Sequence, residues 1–429
     1  IDYPGSKYAK RYRKGWDGKK HFIKNGRFLT GLLPRVLESL KKVDIIPTIY
    51  DLQRSDGPRF LNPIEFVDGL IEKYTLFPDQ IDLIKKMCDL RRGIVKASTG
   101  AGKTLLMAYM LKLLNPKNAL IVTNRKQLVI QLYEFFHKEC KISNVGICFG
   151  EGFIPDRIMV CSTGSLEKVL DTHLDSDCLF VDEIHEFSGG RKSLNLLELI
   201  NSPIKFGFTA TVPEEKFIRY GIEGLFGSVI EGESTSSLTE KKRLSKAKVS
   251  IISYEYKNTE IASFWPYEKL YNEVIIKDID RNNLITKLVN SIFEKNSDAK
   301  ILILVKNIDH LEILKNMIPN AISIQGSDDI SSRYNKISKF LKTKVVLIGT
   351  TVLQTGVNIK EITDFINARG LKSEIPTIQA LGRALRISKN KSIVNIYDIK
   401  DNCKYLKDHS LERIKHYKNE GHEVNEISI

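Results

Sequence analysis

The chain has little that suits an oxidising or membrane setting. Its six cysteines, Cys88, Cys140, Cys148, Cys161, Cys178 and Cys403, form no C-x-x-C pair and no Cys/His cluster. That excludes a disulfide framework and argues against structural zinc. Four of them sit inside or beside apolar runs, where a buried free thiol is the default. No apolar run approaches the length of a membrane span and no signal peptide is visible, so a reducing, cytoplasmic setting without membrane contact is expected. Acidic residues are also in short supply, with 52 Asp and Glu against 66 Lys and Arg, a net charge of +14. The first 42 residues hold 12 Lys/Arg but only three acids, Asp2, Asp17 and Glu38. Such a concentration reads as a phosphate-binding surface, with a solvated basic face as the plainer alternative.

At 429 residues and 42% apolar composition the sequence is too long for one core and too apolar to be disordered, so two or three domains are expected. Residues 1–75 are basic and turn-rich, and the start at Ile1, directly before Tyr3-Pro4-Gly5, predicts that upstream residues belong to this segment. Across residues 76–232 apolar runs alternate with helical patterns, the runs being 93–96, 119–123, 158–162, 178–181 and 205–209. A polar connection, 231–248, leads to a second alternating block, 233–400, with strands expected at 249–254, 300–305, 321–325, 344–348, 364–367 and 393–397. Residues 401–429 are charged and helical in character. Alternation of this kind predicts α/β domains with parallel sheets. With a phosphate loop in only the first of two similar blocks, a nucleotide bound between them is expected.

That loop is Ala97-Ser98-Thr99-Gly100-Ala101-Gly102-Lys103-Thr104, which follows an apolar strand and opens an amphipathic helix. Strand, glycine-rich turn and helix is the context that makes a P-loop a site. Backbone N–H groups of Ser98, Thr99, Gly100, Ala101 and Gly102 can crowd around phosphate at a helix N-terminus. Lys103 can reach the β- and γ-phosphates, and Thr104 can offer a hydroxyl to Mg²⁺. Ala97 stands where the general pattern has its first glycine.

Further along, Asp182-Glu183-Ile184-His185 follows the apolar strand 178–181. A carboxylate at the C-terminal end of a parallel strand beside the P-loop strand suits a Mg²⁺ partner, Asp182, with Glu183 polarising the attacking water. Thr209-Ala210-Thr211 ends a further strand. Downstream, Gln379, Arg383 and Arg386 share one helical face, and planar guanidiniums suit a γ-phosphate that gathers charge in the transition state. In isolation that last segment reads more readily as an ordinary amphipathic helix with a polar face.

Taken in order, these elements resemble the superfamily 2 helicases and translocases of the DExH type over residues 76–400. Ala97–Thr104 resembles motif I, Thr123-Asn124-Arg125 motif Ia, Ser162-Thr163-Gly164 motif Ib, Asp182–His185 motif II and Thr209–Thr211 motif III. Leu304-Val305-Lys306 sits at motif IV, Gly349-Thr350-Thr351 through Asn358 at motif V, and Gln379–Arg386 at motif VI. Within the superfamily the chain is most similar to the UvsW-type phage recombination helicases. The likeness includes Lys7–Lys19 with its Trp16-Asp17-Gly18 turn, Leu32-Leu33-Pro34, Arg281-Asn282 and Tyr397-Asp398.

The resemblance implies two tandem RecA-like parallel-sheet domains with a small basic N-terminal α+β DNA-binding domain. It implies ATP and Mg²⁺ as cofactors, with Gln80 at the adenine-reading position and Gly356 and Asn358 among the nucleotide contacts. Asp79 stands where an aromatic usually precedes that glutamine. Catalysis is expected from Lys103, Asp182, Glu183, Gln379, Arg383 and Arg386, with Mg²⁺ held by Thr104 and Asp182. Nucleic-acid contacts are expected from Thr123, Arg125, Thr163, Lys306 and Thr351, and coupling from His185, Thr209 and Thr211. Arg11, Arg13, Lys14, Lys19 and Lys20 would bind duplex or junction arms. The implied activity is ATP-dependent remodelling of forked or junction DNA by a monomer in the host-cell cytoplasm. An RNA or RNA–DNA hybrid helicase, and a duplex-DNA translocase that separates no strands, remain open alternatives.

Overall fold

Apolar runs that lack polar alternation become strands buried on both faces, the pattern expected where helices cover a parallel sheet. The computed structural model describes residues 19–49, 69–189, 191–350, 361–372 and 393–428. They fall into two units, Ile1–Glu233 and Ser234–Ile429.

The first unit holds strands β1 (Arg92–Lys96), β2 (Ala119–Thr123), β3 (Val145–Phe149), β4 (Gly152–Ile154), β5 (Ile158–Ser162), β6 (Cys178–Val181), β7 (Ile204–Thr209) and β8 (Val229–Glu231). Their order is β4-β3-β5-β2-β6-β7-β1-β8, and every pairing is parallel except β3 with β4. The five strands anticipated from sequence are present, and β3, β4 and β8 add to them. One expectation is corrected: β6, which delivers Asp182, is not beside β1, because β7 lies between them. Gly207 of β7 makes this workable. A Cβ there would stand 3.2 Å from Ile184, so the missing side chain lets the turn after β6 lie close over β7. Helix Lys103–Leu114 packs under the sheet, with Leu106, Met107, Ala108, Tyr109 and Met110 fully buried.

The described part of the basic N-terminal segment packs onto this unit. Helix Leu33–Lys41 and the turn Thr30–Leu32 before it rest on helix Lys216–Phe226. Contact is so close that a Cβ on Gly31 would lie 2.0 Å from Glu223 O. Arg35 forms an ion pair with the buried Glu223, which also accepts from Arg219 Nε at 2.8 Å, while the Arg35 guanidinium lies 4.3 Å from the Tyr220 ring centroid. Burial alone would raise the Glu223 carboxyl, but the two arginines hold it below its ordinary value.

The second unit contains β9 (Lys246–Tyr254), β10 (Ile301–Leu304), β11 (Ala321–Ile324), β12 (Val346–Gly349), β13 (Asp364–Asn367), β14 (Ile393–Asp401) and β15 (Glu423–Ile427). They form one wholly parallel sheet, β11-β12-β10-β13-β14-β9-β15. Its core joins Ile252, Ile301, Ile303, Val346, Ile348 and Ile366 to Ile285, Leu288 and Val289 of helix Ile279–Lys295. The charged tail is a helix, Lys404–Asn419, followed by an edge strand where the sequence suggested helix alone. Both chemical and packing reasons appear in β15: Glu423, Asn425 and Glu426 face water while its backbone pairs with β9. All six cysteines are described, free and buried. Among the described residues no helix is long and apolar enough to cross a membrane.

Candidate nucleotide site

Parallel strands end together, so β1, β7 and β6 bring three loops to one edge of the first sheet. After β1 the chain passes through Gly100 and Gly102, both at φ +92°, a conformation that L side chains resist. Ala97 is not at positive φ and is buried against Gly232, so its methyl is accommodated where the general pattern has glycine. Lys103 Nζ donates to Ala97 O at 3.2 Å and lies 4.0 Å from Glu183 Oε1.

Gln80 sits beneath the loop. Its Oε1 accepts from Phe77 N at 3.0 Å and its Nε2 donates to Ala101 O at 2.8 Å. A side chain on Gly102 would strike Nε2 at 2.6 Å. Gln80 therefore caps helix Pro78–Leu90 and braces the loop at once, a double role that the sequence reading, with adenine in view, missed.

Asp182 is buried at the end of β6, its N–H bonded to Val122 O at 2.9 Å. Burial, with the adjacent Glu183 charge, pushes its carboxyl up to about 7 against the pull of Lys103. Glu183 adopts φ +49°, and its Oε2 is buried without a hydrogen-bond partner. Thr99 Oγ1 is likewise buried and unpartnered. These are the marks of a site shaped for a group that carries its own charge: a buried carboxyl, an orphaned carboxylate oxygen and an orphaned hydroxyl beside a loop of N–H groups. The residues fit Mg²⁺ and a nucleoside triphosphate. Among the described residues no group of three or more His, Cys, Asp or Glu is arranged to hold a metal ion by itself, and a cation held chiefly by phosphate oxygens needs none.

His185 Nδ1 lies 2.7 Å from Thr209 Oγ1 and 3.5 Å from Glu183 Oε2. Thr209 spends its one hydroxyl proton on Thr211 O at 2.7 Å and accepts from Thr211 N at 3.2 Å. The imidazole must therefore donate through Nδ1–H. Burial lowers its pKa, opposed by the neighbouring Glu183 carboxylate and assisted by Lys103. Thr211 Oγ1 is buried and unpartnered.

The residues expected to grip nucleic acid end β2 and β5, which are neighbours in register. Thr123 is fully buried, its Oγ1 unpartnered, and Thr163 Oγ1 donates to Thr123 O at 3.1 Å. Arg125 Nη2 lies 3.5 Å from Glu186 Oε1, which ties this edge to the turn Ile184–Gly189 after Asp182. Nothing in the sequence marked Glu186, an acid three residues beyond Glu183. Lys19 and Lys20 are both exposed, and Lys20 Nζ also lies 4.9 Å from both the Phe22 and Phe217 ring centroids. In the second unit, Lys306 Nζ sits 4.7 Å from the Tyr271 ring centroid. Arg11, Arg13, Lys14, Thr351, Gly356, Asn358, Gln379, Arg383 and Arg386 lie outside the described residues.

Comparison with known proteins agrees with this geometry. Residues 73–214 match the family described as "Type III restriction enzyme, res subunit", and residues 281–388 match the "Helicase conserved C-terminal domain". The chain is 25% identical over 98% of its length to the ATP-dependent DNA helicase uvsW of Enterobacteria phage T4, covering 92% of that protein. It is 23% identical over 83% of its length to putative helicase 22 of a Sulfolobus islandicus filamentous virus, covering 70% of that protein. In fold it is similar to a fragment of a putative HsdR subunit of a type I restriction enzyme from Vibrio vulnificus, with a TM-score of 0.61, 19% identity, 86% of this chain and 72% of that one. S. cerevisiae Dbp5 has the same fold, with a TM-score of 0.58, 15% identity, 82% of this chain and 94% of that one.

Two largely parallel sheets, the first ending in a phosphate loop beside Asp182 and Glu183, together with the matches to helicase families, indicate an ATP-dependent helicase. The chain belongs to superfamily 2 of the helicases and is similar to the phage T4 enzyme uvsW.

Proposed function

We propose that the chain remodels branched DNA at the expense of ATP, migrating junctions, regressing forks and separating or annealing strands. The observation that carries this reading is the reach of the likeness to the T4 DNA helicase. It spans 98% of the chain, including the basic N-terminal segment outside the two matched helicase regions. The described part of that segment packs on helix Lys216–Phe226 through Gly31 and Arg35, which supports a firm base for a DNA-binding arm.

In this reading the backbone of Ser98–Gly102 and the ammonium of Lys103 hold the phosphates. Thr104 and Asp182 hold Mg²⁺, and bound Mg²⁺ supplies neutralising charge to the phosphate oxygens. Glu183, close to Lys103 and with a free buried oxygen, orients water and accepts its proton. Gln379, Arg383 and Arg386 stabilise charge on the transferring phosphoryl group. The His185–Thr209–Thr211 chain passes changes at Glu183 to the end of β7, and the Arg125–Glu186 pair passes them to the nucleic-acid edge. Contacts of Arg125, Thr163, Lys306 and Thr351 fall on backbone phosphate, so stepping is independent of sequence.

The test is conversion of a synthetic four-way junction to duplex products, with matched RNA forks in parallel. ATP-dependent conversion that disappears in Lys103→Ala, with junction binding retained, supports the reading. Displacement of RNA strands with inert DNA junctions sinks it.

A further inference from the structure

Four successive carbonyls just beyond β13 are each held by a different side chain. Arg281 Nη1 donates to Ala368 O at 3.3 Å, and Tyr271 Oη donates to Arg369 O at 2.6 Å. His409 Nδ1 lies 3.3 Å from Gly370 O, and Arg413 Nη1 donates to Leu371 O at 2.7 Å. The donors come from the turn Tyr271–Ile276, from helix Ile279–Lys295 and from the tail helix Lys404–Asn419. Gly370, at φ +63°, turns the chain where a Cβ would strike Ile275 at 2.7 Å.

The clamp is itself locked. Arg281 grips Asp401 through Nε at 2.8 Å and Nη2 at 3.3 Å. Arg413 Nη2 reaches Asp398 Oδ1 at 2.8 Å, and Tyr417 Oη donates to Asp398 Oδ2 at 2.6 Å. Arg281 and Arg413 are at most 1% exposed. Buried charge held this way is costly to move, so the backbone it grips has a fixed path.

Tyr271 has a second contact that the other donors lack. Its ring carries Lys306, the residue at the end of β10 assigned above to nucleic-acid phosphate. One side chain thus touches the nucleic-acid lysine with its face and the Arg369 carbonyl with its hydroxyl. The chain that leaves Leu371 reaches Gln379, Arg383 and Arg386 within fifteen residues.

We propose that Tyr271 is a positioning residue for ATP hydrolysis, linking phosphate engagement at Lys306 to the backbone that leads into the arginine segment. Arg281, His409 and Arg413 hold the flanking carbonyls, so the chain that leaves Leu371 starts from a fixed point that Tyr271 helps to set. The tail helix then serves the ATPase. This inference rests on the helicase reading above.

Tyr271→Phe keeps the ring under Lys306 and removes only the hydroxyl. The expected result is a fall of about fivefold to tenfold in kcat for ATP at saturating forked DNA, the size of one lost buried hydrogen bond. The KM for ATP and the DNA concentration giving half-maximal stimulation stay within twofold. Lys306→Met is then combined with Tyr271→Phe. Shared action predicts that the double variant loses much less kcat than the product of the single losses. A lower melting temperature with unchanged kcat, or multiplicative losses in the double variant, overturns the proposal. Wild-type protein without DNA-stimulated ATPase overturns the underlying reading instead, so the two failures are distinct.

Discussion

The imidazole of His185 donates to the hydroxyl of Thr209 across 2.7 Å, joining the loop after β6 to the end of β7. Because Thr209 has already given its proton to Thr211 O, the bond has one direction and one tautomer. Glu183 stands 3.5 Å from the same nitrogen. Any movement of the Glu183 carboxylate is therefore felt at Thr209.

Removing the acceptor tests this link. Thr209→Val leaves the shape but strands the His185 N–H in a buried place, at a cost of about 1–3 kcal/mol. ATP-driven strand displacement should fall at least tenfold, and the ATPase rate by much less. Parallel assays of the two activities check it; equal losses would mean that the pair serves hydrolysis alone.

The Asp182 carboxyl, raised to about 7 by burial and by Glu183, carries a proton at slightly acid pH that a bound cation must expel. Affinity for Mg²⁺–nucleotide should therefore climb with pH below about 7 and level off above it, with proton release on binding. Calorimetry in buffers of different ionisation enthalpy measures that release. Asp182→Asn should abolish the proton release and weaken Mg²⁺-dependent binding.

His310 is fully buried beside Asn282, its Nε2 3.0 Å from Asn282 Oδ1, and desolvation pushes its pKa down to about 3. The unfolded chain binds this proton near pH 6.5 and the folded chain does not. Its contribution to stability is thus present above about pH 6.5 and lost as pH falls toward 3. Urea unfolding followed across pH 4 to 7 should show this decline, and His310→Gln should flatten it.

Much of both sheets was legible because their strands are short, largely apolar runs set between helical patterns. β3, β4, β8 and β15 were not. β4 and β8 have three residues each, and β15 reads as Glu-Val-Asn-Glu-Ile, an edge strand whose polar face resembles the helix before it. Strand order leaves no local trace, which is why β7 between β1 and β6 was not anticipated. The P-loop and Asp182–His185 were legible because phosphate and cation chemistry tolerates few residue types there. Gln80's bracing of Ala101, the Arg125–Glu186 pair and the carbonyl clamp were hidden, since each depends on residues brought together only by folding. One clue was available: Asp398 and Asp401 lie in an apolar strand, and buried carboxylates require buried partners, here Arg413 and Arg281.

Gly31 tests the docking of the N-terminal segment. With a methyl group 2.0 Å from Glu223 O, Gly31→Ala must lift the turn Thr30–Leu32 off helix Lys216–Phe226. Limited proteolysis should then cut the N-terminal segment early. DNA-stimulated ATPase should persist, while affinity for junctions drops several-fold and depends less steeply on salt.

The most direct test of the central claim is the ATPase rate with matched single-stranded DNA, blunt duplex, forked or four-way junction DNA, and RNA. The account predicts the strongest stimulation by forks and junctions, with arm exchange in the same reactions. Stimulation by RNA alone would contradict the DNA assignment and leave only the motor.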